Sequence, residues 1–385
     1  MRRRTFTLAG LGLVLAGAAR AQSSDSPAYD DPIAPILAET KAAALAGAVV
    51  TPTSIPWLAA EGVRQGPGSA AVEAGDQWHI GSNTKAMTSA LYAKLVEQGK
   101  AHWGATTPEL FPGLRIDPAW RETTIEQLMS HSAGISDKPL LDTAWLISAR
   151  TDPRPLPDQR RAFAAKAFQS PPAGKPGSFE YANANFILAG AAIEHITGGA
   201  WEDAIRAELF EPLGMESAGF GAPKGDEPWG HTADGAPVDP AGIADNPPVL
   251  GPAGTVHVSL TDYAKFARVF LTSGGDFLTP ASVTKLTTPV TSMGTPSRSY
   301  ALGWGVNPND ARTKGPIFWH EGSNTLWHAA ILVAPGAGFA VLAASNDEAR
   351  GAKAVQALYL KLMAKLAPPA TSPPPPAGAA QPPAH

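Results

Sequence analysis

Apolar, strand-like runs stand near both ends of this chain, and the helical patterns fall between them. Residues 316–320, 327–334 and 339–345 are apolar runs separated by glycine turns, with Pro335-Gly336-Ala337-Gly338 reading as a hairpin loop. Residues 47–51 and 56–63 alternate in the same manner near the other end. Strands this far apart in sequence bury their apolar faces by joining one sheet, with the intervening helices packed on it or inserted beside it. The expected fold is therefore α/β (α+β): an antiparallel sheet flanked by helices, plus an inserted, mostly helical subdomain.

Residues 79–98 give the strongest helical pattern, with Met87, Leu91, Leu95 and Val96 on one stripe and Gly99 as the stop. Thr124-Ile125-Glu126-Gln127 is a capping box that opens a helix over 125–129. Residues 183–196, 200–209, 260–271 and 348–366 read as further helices, and 37–48 as another. Residues 137–178 are rich in proline and read as a long irregular stretch.

The chain carries no cysteine, which excludes disulfides and thiolate catalysis. His320-Glu321 begins a zinc-hydrolase spacing, but the next histidine, His328, is eight residues from His320 rather than four. No metal and no cofactor are expected. A net charge of -4 gives no electrostatic reason to expect nucleic acid or an anionic membrane as partner. Arg2-Arg3-Arg4, the apolar run 8–19 and Ala19-Arg20-Ala21 together read as a signal peptide over 1–21, cleaved before Gln22. The paired arginines before Thr5-Phe6 resemble a twin-arginine signal, with the general secretory route as the other reading. The expected location is the bacterial periplasm or the medium. Residues 367–385 hold eight prolines and read as a disordered tail.

Three short motifs carry chemistry. In Ser82-Asn83-Thr84-Lys85, positions i and i+3 of a helix share a face, so Lys85 sits beside Ser82. A lysine can take the serine proton only when neutral, and burial lowers its pKa from about 10.4. Ser282-Val283-Thr284-Lys285 repeats the pattern, but in a short helix between Pro280 and Pro289, where an ordinary capped surface helix is expected. Tyr181-Ala182-Asn183 follows 99 residues after Ser82, in a turn after Pro176-Gly177. His320-Glu321-Gly322 closes a strand 137 residues after Asn183 and is followed by Ser323. Each motif alone is weak: a half-buried tyrosine before an N-cap, or a strand-end histidine before a turn, would account for it.

In this order the three resemble the serine beta-lactamase and penicillin-binding protein superfamily, and within it the class C beta-lactamase, DD-peptidase and carboxylesterase branch. Leu128-Met129-Ser130-His131-Ser132-Ala133-Gly134-Ile135, Glu211-Pro212-Leu213-Gly214-Met215 and Tyr300-Ala301-Leu302-Gly303-Trp304-Gly305 extend the likeness, which marks residues 30–366 as a beta-lactamase-related catalytic domain. The resemblance implies that Ser82 is acylated and that Lys85 and Tyr181 share the proton work. It also implies that Asn183, His320 and Gly322 bind substrate, with the backbone N–H groups of Ser82 and Ser323 as oxyanion hole. Efficient beta-lactamases of this branch carry Lys-Thr-Gly as third motif. Here His320, mostly neutral at pH 7, and the anionic Glu321 stand instead. The expectation is an exported serine hydrolase acting on an ester or a D-amino acid amide or peptide, with weak beta-lactam turnover. The competing readings are a true class C-type beta-lactamase, a non-catalytic penicillin-binding-like module, and a Ser-His-Asp hydrolase, for which no Gly-x-Ser-x-Gly elbow is present.

Overall fold

The computed structural model describes residues 31–368. The expected signal peptide over 1–21 and the proline-rich tail beyond residue 368 lie outside them. The first elements are α1 (Ile33–Thr40), β1 (Ala44–Val50), β2 (Trp57–Gly62) and β3 (Gln77–His79). A helical stretch follows: α2 (Thr84–Glu97), α3 (Thr107–Leu110), α4 (Ile125–Met129), α5 (Thr143–Arg150), α6 (Leu156–Phe168), α7 (Asn183–Thr197) and α8 (Trp201–Ile205). Next come β4 (Gly219–Phe220), α9 (Gly251–Gly254), β5 (Val256–Ser259), α10 (Leu260–Leu271) and α11 (Pro280–Thr287). The chain then returns to strands: β6 (Thr291–Thr295), β7 (Arg298–Tyr300), β8 (Gly305–Asp310), β9 (Gly315–Ser323), β10 (His328–Ala334) and β11 (Phe339–Ser345), before α12 (Gly351–Leu366).

The main sheet runs in the order β2-β1-β11-β10-β9-β8-β7-β6, antiparallel throughout. The two ends of the chain meet in it as expected: β1 pairs with β11, Leu45 opposite Ser345. A small second sheet, β3-β5-β4, leads into the site. On one face of the main sheet α12 crosses β1, β10 and β11, with Gly47 pressed so close to Leu358 that a Cβ there would lie 2.6 Å away. On the other face α10 packs on β1, β10 and β11, and the helical region lies beyond it around α2.

Three sequence expectations need correction. Residues 37–48 are not one helix: Lys41, at φ 62°, ends α1, and β1 starts at Ala44. All of β1 is buried, and a short two-sided apolar run looks the same as a buried helix segment by periodicity. Residues 137–178 hold two helices, α5 and α6, because their prolines fall outside the helix interiors, two of them at the start of α6 where the missing N–H costs nothing. Asp142 caps α5 by accepting from the Trp145 N–H, and Pro155 and Pro157 flank the start of α6. Finally, His79 belongs to β3, a 3-10 turn spans Gly81–Asn83, and α2 begins only at Thr84. That helix is buried on every side from Thr84 to Ala93 rather than along one stripe. No helix among the described residues is long and apolar enough to cross a membrane.

Candidate active site

The 3-10 turn Gly81–Asn83 feeds directly into α2, so Ser82 stands one turn before Lys85. Lys85 Nζ has three neighbours: Ser82 Oγ at 3.0 Å, Asn183 Oδ1 at 2.9 Å and the Ala253 carbonyl at 2.7 Å. The side chain is fully buried, and this desolvation pulls its pKa down to about 7, against the pull of the Asp137 carboxylate. A neutral amine has two hydrogens and one lone pair. Asn183 Oδ1 and the Ala253 carbonyl can only accept, so they take the hydrogens. The lone pair is left for the Ser82 O–H, the orientation a general base needs.

Tyr181 and Asn183 come from the turn into α7. The Tyr181 ring lies under Lys85, with Nζ 4.9 Å from its centroid. Its hydroxyl bonds with Ser82, but burial of the phenol dominates and raises its pKa above the usual 10.0. His131, buried in the left-handed region at φ 56°, packs tilted against the Tyr181 ring with the centroids 4.4 Å apart. Burial holds this histidine neutral, and its Nδ1 accepts from the Ala182 N–H at 3.3 Å and from Asn185 Nδ2 at 3.1 Å. Asp137 is a residue that sequence reasoning missed. It accepts from the Asn183 N–H (2.9 Å), Asn183 Nδ2 (3.2 Å) and the Ala184 N–H (2.9 Å), so it caps α7 and turns Asn183 Oδ1 toward Lys85. The available signal was an aspartate preceding a tyrosine–asparagine helix start, obscured by a sequence separation of 46.

The C-terminal end of β9 is laid against this turn by two glycines. A Cβ on Gly322 would lie 2.0 Å from the Ile80 carbonyl oxygen and 2.9 Å from the Ser82 nitrogen. One on Gly81, whose φ is +51°, would lie 2.4 Å from the Ser323 nitrogen. Only glycine at both positions permits this approach, and it brings the Ser82 and Ser323 N–H groups to one place. Above them is a cleft of about 200 Å³ lined by Ser82, Asn183, Asn246, Ser323, Asn324 and Thr325 among others, with no charged side chain in its wall.

His320 is buried in the same neighbourhood, with its pKa pushed down to about 3 by desolvation and by the nearby Lys85. Both ring nitrogens are engaged. Nδ1 donates to the Glu321 carbonyl at 2.7 Å, so Nε2 accepts from the Tyr300 hydroxyl at 2.9 Å. The ring offers no spare donor, contrary to the expected substrate contact through it. Glu321 points the other way, as strand alternation requires. It lines a separate cleft of about 510 Å³ with Trp319, Arg298 and Tyr359. His320 and Gly322 also line that larger cleft, but none of Ser82, Lys85, Tyr181 and Asn183 does. The second Ser-x-x-Lys is also separate: Ser282 lies in α11, and Lys285 pairs with Glu126 at 3.0 Å.

The family model described as Beta-lactamase matches residues 30–364. The chain belongs to the Beta-lactamase family. This is a family of beta-lactamase-fold serine hydrolases. Among curated relatives, the chain is similar to an unguisins hydrolase of Aspergillus campestris, 27% identical over 307 residues, covering 75% of this chain and 56% of that protein. It is also similar to penicillin-binding protein 4 of Amycolatopsis lactamdurans, 27% identical over 300 residues, 74% of this chain and 76% of that protein. The chain thus spans little more than half the length of the first of these relatives. Among solved structures, a D-stereospecific amidohydrolase from Streptomyces sp. shares the fold at a TM-score of 0.66 and 21% identity, over 84% of this chain and 93% of that one.

Proposed function

We propose that this chain is an exported serine hydrolase that forms an acyl-enzyme on Ser82 from esters or D-amino acid amides and peptides, with weak beta-lactam turnover. The observation that carries this reading is the 3.0 Å contact between Ser82 Oγ and the fully buried Lys85 Nζ, whose desolvation brings its pKa down to about 7 and so makes the neutral, basic form accessible. Lys85 takes the hydroxyl proton as Oγ bonds to the substrate carbonyl carbon. The resulting oxyanion lies against the N–H groups of Ser82 and Ser323, the kind of preorganised donor pair that supplies a large share of such catalysis. The C–O or C–N bond then breaks, and the leaving group departs with the proton relayed through Tyr181, whose hydroxyl touches Ser82. Water repeats the sequence in reverse to free the acid.

Asn183 keeps one Nδ2 hydrogen beyond the one Asp137 accepts, and this hydrogen serves a substrate carbonyl. The uncharged wall of the cleft favours substrates without a carboxylate beside the scissile bond. That preference separates the reading from a class C-type beta-lactamase.

Treatment with a fluorophosphonate probe, followed by intact mass and peptide mapping, tests the assignment. One adduct on the Ser82 peptide is expected. An adduct that persists in Ser82→Ala, or that maps to Ser282, overturns it, and absence of any adduct supports a non-catalytic binding module.

A further inference from the structure

Behind the Ser82 turn lies a buried carboxylate that the proton path does not use. Asp245 sits in the loop between β4 and α9, its side chain 9% exposed, against the fully buried ring of His79. His79 Nδ1 accepts the Gly81 N–H at 3.1 Å, so the ring proton is on Nε2 and is donated to Asp245 Oδ2 at 2.9 Å. The other carboxylate oxygen, Oδ1, accepts from Asn324 Nδ2 at 2.8 Å and from the Asn246 N–H at 2.7 Å. Asn324 is itself fixed, since its Oδ1 accepts the Trp327 N–H at 3.1 Å.

The positions in the chain give this arrangement its meaning. Gly81 immediately precedes Ser82, and Asn324 immediately follows Ser323. One carboxylate therefore holds, through one side chain on each side, the two backbone segments that carry Ser82 and Ser323, both of which line the cleft. This pair is not the Asp–His part of a Ser-His-Asp triad, because the second ring nitrogen of His79 is occupied by the Gly81 N–H.

We propose that Asp245 is a positioning residue that fixes the spacing of the Ser82 and Ser323 N–H groups through His79 and Asn324. The proposal rests on the acyl-enzyme reading above. Oxyanion donors are effective only when they already stand where the oxygen will be, and a displacement of about 1 Å can cost on the order of a hundredfold in rate. The two segments belong to different parts of the fold, the β3–α2 junction and the end of β9. Their contact through Gly81 and Gly322 sets how close they come, and the carboxylate sets their lateral register.

The test compares an ester with its thionoester, in which a larger sulfur that accepts hydrogen bonds poorly replaces the carbonyl oxygen. In Asp245→Asn, one acceptor oxygen becomes an NH2 donor, which must face a donor the carboxylate used to accept from, either the His79 Nε2–H or the Asn324 amide. Turnover of the ester should fall by about ten- to a hundredfold, less than the roughly 10²–10³ lost when an oxyanion donor is removed outright. KM should change little, and the thionoester should lose far less, so the ester-to-thionoester ratio falls. Parallel losses on both substrates, or a lowered melting temperature with an unchanged ratio, overturn the proposal. Should Asp245→Asn fail to fold, Asn324→Ala carries the same test, and an unchanged ratio there overturns it. Retained turnover in Ser82→Ala overturns the acyl-enzyme reading and this proposal with it. An inactive Ser82→Ala beside an unchanged ratio in Asp245→Asn overturns the positioning role alone.

Discussion

Asp137 Oδ2 accepts both the backbone N–H of Asn183, at 2.9 Å, and the side-chain amide of the same residue, at 3.2 Å. One carboxylate thereby starts α7 and orients the amide oxygen that accepts from Lys85. Its charge also stabilises the protonated form of Lys85 and so draws that pKa upward. Removing the charge should let the Lys85 pKa fall further, so the base form persists to lower pH. Asp137→Asn is expected to shift the acid limb of the kcat/KM profile on a neutral ester toward lower pH. Asparagine keeps an acceptor oxygen for the helix start, so the cap is lost only in Asp137→Ala, which should cost about 1 kcal/mol of stability, read by denaturant unfolding. A limb that moves to higher pH would contradict this account.

Lys85 links activity to stability. Its pKa is about 7 in the fold against 10.5 for the exposed group, with desolvation as the cause. Between those two values the unfolded chain binds a proton that the folded chain does not, so stability rises with pH across that window. Below about pH 7 the full cost of burying the charge is present. Lys85→Met should therefore raise the melting temperature most below pH 7, with the gain shrinking toward pH 10.5, while abolishing turnover. A gain independent of pH would mean that the lysine is not desolvated in this way.

Lys85 and Tyr181 are assigned to one proton path. Desolvation of the hydroxyl end raises the Tyr181 pKa even though the residue is 41% exposed, so the phenol keeps its proton and passes protons along rather than acting as a free phenolate. Lys85→Ala and Tyr181→Phe should each slow turnover by more than about a hundredfold, within the range for positioned acid–base groups. The double variant should be far less than multiplicatively worse. Full multiplicative losses in single-turnover kinetics would show two separate roles.

Much of the site could be read from the sequence because its motifs are local. Ser82 and Lys85 lie one turn apart, and Tyr181 and Asn183 share a turn, so the spacing alone brings each pair together. The sheet was legible for a related reason, since β9, β10 and β11 are apolar runs with glycine turns between them. The short strands β6, β7 and β8 were not, because they carry polar residues and little alternation. Asp137, Asp245 and Tyr300 were also missed. Each acts on a partner 20 or more residues away: Asn183 at a separation of 46, His79 at 166 and His320 at 20. No local pattern encodes contacts that the fold alone creates. The direction of Glu321 is a middle case. Period-2 alternation along β9 dictates that it opposes His320, once the strand is known to run through to Ser323.

That direction decides what the third motif can do to substrate choice. A beta-lactam places a carboxylate beside its reactive carbonyl. The wall of the Ser82 cleft carries no charge, and the third-motif residue His320 is buried behind it with both ring nitrogens bonded, to the Tyr300 hydroxyl and the Glu321 carbonyl. A neutral ester needs no such partner, so p-nitrophenyl butyrate should be hydrolysed faster than nitrocefin. Replacing His320 by Lys introduces the missing cation, with the Tyr300 oxygen as an acceptor that can hold it. A hydrogen bond to a charged group contributes about 1.5–3 kcal/mol, which is about ten- to a hundredfold. His320→Lys should raise nitrocefin turnover relative to ester turnover by an amount in that range. Glu321→Thr alone should leave the ratio unchanged, because Glu321 lines the cleft on the opposite face of β9. A change in the ratio from Glu321→Thr would place that carboxylate's influence in the site after all. A wild-type preference for nitrocefin would show that the enzyme needs no cation at the third motif to take a beta-lactam.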